Sequence, residues 1–226
     1  MKRPTKPRKR RLSPDETARI AEIFRRFEVA SPDPRTELEY QTPYMLLVAV
    51  VLSAQATDKS VNKATERLYA VAPTPQQMLA LGEAGLTPFI ASIGLFRMKA
   101  KNVVALSRIL VDQYAGQVPL NRAALQALPG VGRKTASVVL NELNVEPAIA
   151  VDTHVFRVAH RLGLSKGKTP DDVERDLMAI VPDAGKTRAH HWLILHGRYT
   201  CIARKPKCAE CLVADLCPSR ELFLGA

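Results

Sequence analysis

From Tyr44 to Ala54 the chain is apolar at nearly every position, and Ser53 and Gln55 are the first polar residues to interrupt it. Thr42-Pro43 just ahead reads as a helix start, a capping hydroxyl followed by a proline at the first helical position. A helix with no polar face has no side to turn toward water, so other elements must wrap it all round. The run is too short to cross a bilayer, which takes about 20 apolar residues, so the wrapping must be protein. Of the 226 residues 46% are apolar, enough to close such a shell and to form one large or two small lobes.

The rest of the chain offers helices for that shell. Ser13-Pro14-Asp15-Glu16 is a capped start, and Ile20, Ile23, Phe24 and Phe27 follow at helical spacing. Residues 31–36 carry two prolines and read as a linker, the first lobe boundary. Asp58 can cap a helix with the face Val61, Ala64, Leu68, Val71. Thr74-Pro75 opens a short helix, Thr87-Pro88 opens another that ends before Gly94, and a longer one runs from Phe96 to Ala115, closed by Gly116. After a helix at residues 122–128 comes another from Arg133 to Leu143. Asn144 to Pro147 break the pattern, and Ile149-Ala150-Val151 crosses back as an extended connector. Asp152 caps a helix through Leu162, Thr169-Pro170 starts the next, and a last one runs from Lys186 to Tyr199. No window alternates strictly enough for a strand, so the fold class is all-α.

Between two of these helices lies Leu128-Pro129-Gly130-Val131-Gly132-Arg133-Lys134-Thr135-Ala136. Glycine at both hairpin positions allows positive φ and leaves the amides of Gly130, Val131 and Gly132 uncovered at the start of a helix. Such amides, with the positive end of the helix dipole, make an anion site. Arg133 and Lys134 stand in the first turn, where a cation opposes the dipole, so one of them is expected to act on something negative or electrophilic. The competing reading is a Gly-rich turn with two solvated basic residues.

The net charge of +11 is uneven. Lys2, Arg3, Lys6, Arg8, Lys9, Arg10 and Arg11 occur with no acid among them, so residues 1–13 read as a disordered basic arm suited to a polyanion. No apolar stretch follows the arm, which points to a cytoplasmic protein with no membrane partner. The four cysteines all lie within residues 201–217, spaced Cys201-x6-Cys208-x2-Cys211-x5-Cys217, which favours a metal or cluster centre over disulfides. By spacing alone, tetrahedral zinc and a four-iron cluster stand level. Between the first two cysteines, Arg204, Lys205 and Lys207 sit on a short loop whose pinned ends would present cations to phosphates.

Four of these segments come in one order along residues 14–217: Ser53-Ala54-Gln55-Ala56-Thr57-Asp58, the stretch Leu128–Ala136 with Lys134, Val151-Asp152-Thr153-His154, and the cysteine spacing. Together they resemble the bacterial endonuclease III family, base-excision DNA glycosylases with lyase activity. The resemblance implies a helix-hairpin-helix glycosylase fold with a DNA cleft between two helical lobes. One would be a six-helix barrel over residues 36–146, the other a cluster lobe combining 14–35 with 147–226. It implies a [4Fe–4S] cluster on Cys201, Cys208, Cys211 and Cys217, and double-stranded DNA with oxidised pyrimidines or abasic sites as the partner of a monomer associated with the nucleoid. Lys134 matches the nucleophile that attacks the sugar C1′. An amine attacks only when neutral, and the start of a helix disfavours its charged form. Arg133 beside it would face phosphate or solvent, since a guanidinium keeps its proton. Asp152 matches the catalytic carboxylate and is expected across the cleft from Lys134, because a direct ion pair would hold the amine charged. Gln55 and Leu95 match residues that fill the gap left by an extruded base. The rival readings are a monofunctional mismatch glycosylase of the same superfamily, which lacks the hairpin lysine, and a non-catalytic DNA-binding module, which needs neither Lys134 nor Asp152.

Overall fold

The computed structural model describes residues 12–224. The basic arm expected at the N-terminus lies, for residues 1–11, outside the described residues. The last two positions of that expected arm belong to the folded protein, since Leu12 packs against a core and Ser13 caps the first helix. In chain order the helices are α1 (Pro14–Ala30), α2 (Pro43–Leu52), α3 (Asp58–Tyr69), α4 (Pro75–Ile90), α5 (Phe96–Tyr114), α6 (Arg122–Gln126), α7 (Arg133–Glu142), α8 (Thr153–Arg161), α9 (Pro170–Ile180) and α10 (Lys186–Tyr199). Short 3-10 turns follow at Cys208–Glu210, Ala214–Leu216 and Arg220–Leu222. Among the described residues there is no strand, and the fold is all-helical. The chain divides into two compact units, one spanning Arg35–Pro147 and the other joining the segment that ends at Pro34 to the one that begins at Ala148.

In the Arg35–Pro147 unit, α2 is the axis. Thr42 caps it by accepting from the Met45 amide, and every side chain from Tyr44 to Leu52 is buried. The surrounding shell brings Val61, Ala64 and Leu68 from α3, Met78, Leu86 and Ile90 from α4, Val103, Leu106 and Leu110 from α5, and Val139 and Leu140 from α7. Each large aliphatic side chain so buried contributes about 1.5–3 kcal/mol relative to exposure. The few polar groups inside are paired: the Tyr44 hydroxyl bonds Ser107 Oγ at 2.6 Å, and the Tyr69 hydroxyl donates to Met45 O at 2.7 Å.

Two local expectations change here. Thr57, not Asp58, caps α3: its hydroxyl accepts from the Ser60 amide, and Asp58 is the first helical residue. No new helix opens at Pro88. Instead α4 breaks earlier, at Gly82 with φ 65° and ψ 178°, and Pro88 lies inside its second half. Glycine supplies the positive φ that a break in mid-helix needs, while Pro88, past the first turn of the second half, leaves the carbonyl one turn before it without an i→i−4 donor.

The second unit is sewn from both ends of the chain. Ser13 and Glu16 form a reciprocal capping box, and the α1 face of Ile20, Ile23, Phe24 and Phe27 packs with Val155, Val158, Leu177, Trp192 and Leu193. Trp192 Nε1 donates to Ser31 O at 2.8 Å, and the Arg19 guanidinium donates to Leu162 O and Leu216 O at 2.9 Å each. Arg26 bridges Glu22 on its own helix to Asp215 and Leu212 O in the cysteine segment. Helices α8 and α10 meet closely at Gly197, where a Cβ would lie 2.9 Å from His154 Cβ and 3.1 Å from Val158 Cγ2.

Candidate functional site

The hairpin between α6 and α7 closes through a single backbone bond, from the Val131 amide to Leu128 O at 3.1 Å. Leu128 and Val131 are buried and anchor the turn on the core. Gly130 takes φ 78°, and a Cβ there would come within 3.0 Å of the Asn102 side chain on α5, so glycine is required twice over. Gly132 differs from expectation. Its φ of −83° and ψ of 179° are extended backbone open to any residue. A Cβ on Gly132 would meet nothing within 4 Å, so folding gives no reason for glycine there. What the missing side chain leaves open is the approach to the first turn of α7, which no side chain caps. Of the three hairpin amides, that of Val131 donates within the turn, to Leu128 O. Arg133 and Lys134 are both exposed in that first turn, and among the described residues of its own unit Lys134 has no acidic partner.

Two loops of the same unit carry Gln55 and Leu95. Both residues are exposed and both are left-handed, Gln55 at φ 55° and Leu95 at φ 60°. The loops adjoin, since a Cβ on Gly94 would sit 3.8 Å from Gln55 O. Leu95 is 54% exposed although large and apolar, and it serves as N-cap of α5 without any side-chain cap bond. Beneath the loops Lys99 is only 4% exposed. Its amine donates to Leu52 O at 2.9 Å and to Ala54 O at 2.6 Å, and burial pushes its pKa down.

Asp152 caps α8. One oxygen, Oδ1, accepts both the His154 and Val155 amides at 2.8 Å each, and Oδ2 takes no part in the cap. The capping role therefore occupies one oxygen and leaves the other able to accept a further hydrogen bond. The side chain is half-buried.

The four cysteines carry no disulfide and line one cavity together with Leu162, His196, Thr200 and Ala214. Among the described residues no three Cys, His, Asp or Glu side chains converge closely enough to hold a single ion. Four thiols facing one cavity are a donor set that fits an iron–sulfur cluster. Its surroundings suit thiolates. Arg161 donates to Cys201 Sγ at 3.5 Å, and His196 Nε2 lies 3.7 Å from Cys211 Sγ. Burial holds the His196 imidazole neutral, its pKa lowered to about 4, so it can offer a hydrogen without adding charge. Burial first, and then the neighbouring thiols, push the Cys211 and Cys217 pKa values up, so protons must leave when a metal centre takes these sulfurs. The loop is strapped to α8: Arg157 donates to Cys201 O at 3.0 Å and Gly197 O at 2.8 Å, and Arg161 to Ile202 O at 2.8 Å and Ala203 O at 2.7 Å. Arg204, Lys205 and Lys207 project from the strapped loop, all three exposed.

The structure thus gathers the cysteines around one space, and sets the hairpin, the Gln55 loop and the Leu95 loop along α5. Sequence reading missed Lys99, Arg157 and Arg161. For Lys99 a signal existed, because the apolar stripe of Val103, Leu106 and Leu110, continued one turn back, lands on this lysine.

All-helical units with a hairpin of this geometry and a four-cysteine centre define a base-excision repair protein of the helix-hairpin-helix class. Residues 48–183 match the HhH-GPD superfamily of base excision DNA repair proteins, and residues 201–217 match the iron–sulfur binding domain of endonuclease III. Endonuclease III of Escherichia coli (strain K12) is 55% identical over 204 residues, covering 90% of this chain and 97% of its own. That of Haemophilus influenzae is 55% identical over 207 residues, covering 92% and 98%. A structure of a trapped endonuclease III–DNA covalent intermediate superposes with a TM-score of 0.85 at 42% identity, covering 94% of this chain and 99% of that one. A thermostable thymine-DNA glycosylase follows at a TM-score of 0.76 and 26% identity, covering 91% and 95%. The chain belongs to the endonuclease III family. It is a bifunctional glycosylase and abasic-site lyase of base excision repair that carries a [4Fe–4S] cluster. Among the described residues, no helix is long and apolar enough to cross a membrane.

Proposed function

We propose that this enzyme removes oxidised pyrimidines from double-stranded DNA in the nucleoid, as a monomer, with Lys134 as nucleophile and Asp152 as the catalytic carboxylate. The observation that carries the reading is an exposed lysine at the uncapped start of α7, in a family with a trapped covalent DNA intermediate. The neutral amine attacks C1′, the N-glycosidic bond breaks with its electron pair going to the base, and the base takes up a proton. The attached nitrogen loses a proton and its lone pair forms the C1′=N bond as the C1′–O4′ bond breaks, O4′ taking up a proton, which leaves a protonated imine. The imine draws electrons from C2′, a proton leaves that carbon, and the C3′–O bond breaks with the phosphate as leaving group. The Oδ2 carboxylate oxygen of Asp152 would stabilise the positive charge on the sugar as the base departs and pass protons during these steps. Gln55 and Leu95 fill the gap in the stack, while the amides of Gly130 and Gly132 and the Arg133 guanidinium take a backbone phosphate.

Cys201, Cys208, Cys211 and Cys217 would hold the cluster, which supplies a rigid cross-link over the segment and no step of the reaction. The pinned loop presents Arg204, Lys205 and Lys207 to phosphates. Replacing all three by Ala is expected to lower the slope of log Kd against log salt by about 0.9 for each phosphate that is no longer neutralised. An unchanged slope in a salt titration would remove these residues from the interface.

Asp152→Asn separates capping from chemistry. Asparagine caps as well as aspartate, so stability should stay within about 0.5 kcal/mol, while base release falls on the order of 100-fold with the charge gone. Thermal melts and single-turnover excision of an oxidised pyrimidine read the two effects. Equal losses in both would leave Asp152 as a cap alone.

A further inference from the structure

Helix α5 organises the exposed face of its unit through one buried residue. The Lys99 backbone amide donates to Leu95 O at 3.0 Å, fastening the Leu95 loop from below. Its side chain reaches the other way, with Nζ on Leu52 O and Ala54 O at the end of α2, fastening the Gln55 loop. Three positions further along α5, Asn102 abuts Gly130 of the hairpin. Gln55 and Leu95 both hold left-handed backbone that non-glycine residues adopt only under constraint. Such conformations persist where the surroundings over-determine them, and the Lys99 bonds supply that determination on both sides. A buried ammonium is itself expensive unless fully hydrogen-bonded. Stability alone would be better served by an apolar residue continuing the stripe of Val103, Leu106 and Leu110.

We propose that Lys99 is a positioning residue that sets Gln55 and Leu95 at a fixed separation, so that both enter the gap left by the extruded nucleotide together. The proposal rests on the reading of Gln55 and Leu95 as gap-filling residues. Lys99 touches neither substrate nor reacting atoms. Its effect passes through the two loops, and it matters only where an opposing strand creates a gap to fill.

The experiment compares cleavage of an abasic site in duplex and in single-stranded oligonucleotide by the full-length, cluster-loaded enzyme, with circular dichroism as the folding control. Lys99→Met keeps the apolar stem and the backbone amide but loses the donors. It should lower the ratio of duplex to single-strand cleavage by about tenfold, about 1.4 kcal/mol of activation free energy. In a double-mutant cycle, Lys99→Met with Gln55→Ala should be no slower on duplex than Gln55→Ala alone, since both remove one function. Multiplying losses, or an equal loss on both substrates, would overturn the proposal and leave Lys99 as a structural group. Should Lys99→Met not fold, Lys99→Gln, which retains an amide donor, is read in the same cycle with the same criteria. Full duplex activity of Gln55→Ala would sink the gap-filling reading and the proposal with it. A loss in Gln55→Ala that Lys99 variants neither share nor mask would sink the proposal alone.

Discussion

Lys134→Gln will bind lesion-bearing DNA, keep its fold and fail to cut. The side chain is exposed in the first turn of α7, so its removal leaves no cavity and breaks no bond within its unit. A cation at that position opposes the helix dipole, and a neutral amide there should leave stability unchanged or slightly raised, by about 0.3–1 kcal/mol at most. Stability and catalysis therefore move in different directions, which separates loss of a nucleophile from loss of structure. Strand cleavage should fall by on the order of a thousandfold or more. The adduct that borohydride traps between enzyme and DNA should vanish. A monofunctional glycosylase would release the base without that adduct, and a binding module would do neither. Wild-type yields of adduct from Lys134→Gln would require another nucleophile.

The second large effect is expected from Cys211→Ser. The thiol lies beside His196 and shares a cavity with the other three cysteines. An alcohol in its place is a poor ligand for iron, and the buried hydroxyl would also have to find a partner. The purified variant should lose iron and the visible charge-transfer absorption of the cluster. Without the cross-link the segment from Cys201 to Cys217 is held by straps such as those from Arg26, Arg157 and Arg161. Amide hydrogen exchange should accelerate in α1, α8 and the cysteine segment, while α2, enclosed in the other unit, keeps its protection. Full iron content in this variant would remove Cys211 from the ligand set.

Much of this architecture is legible before any coordinates. Hydroxyl and carboxylate caps announce their helices, and Ser13, Thr42, Thr74, Asp152 and Thr169 all cap where the chain reads that way. The all-apolar α2 dictates its own burial, since nothing on it can face water. Thr57 and Asp58 show the limit of such reading: both can cap, and only the direction of the incoming chain decides between them. Backbone conformation at single residues is less readable still. Glycine permits positive φ without requiring it, so Gly130 and Gly132 look alike in sequence and differ in the fold. That the Val131 amide closes its own turn depends on where Leu128 is anchored, which is a matter of packing. Long-range straps are invisible for the same reason. Arg157 and Arg161 look like solvated helix residues until the cysteine segment, far along the chain, comes to lie against α8.

The unit sewn from both ends of the chain also fixes an order of assembly. Residues 35–147 are contiguous, so that half can close its core while translation continues. Helix α1 is made before that unit, whereas its partners Leu162, Trp192 and Leu216 are made after it. Iron loading must come later still, because Cys217 is the last of the four cysteines to be made. The apolar face of α1 therefore stays uncovered in the nascent chain until its partners follow.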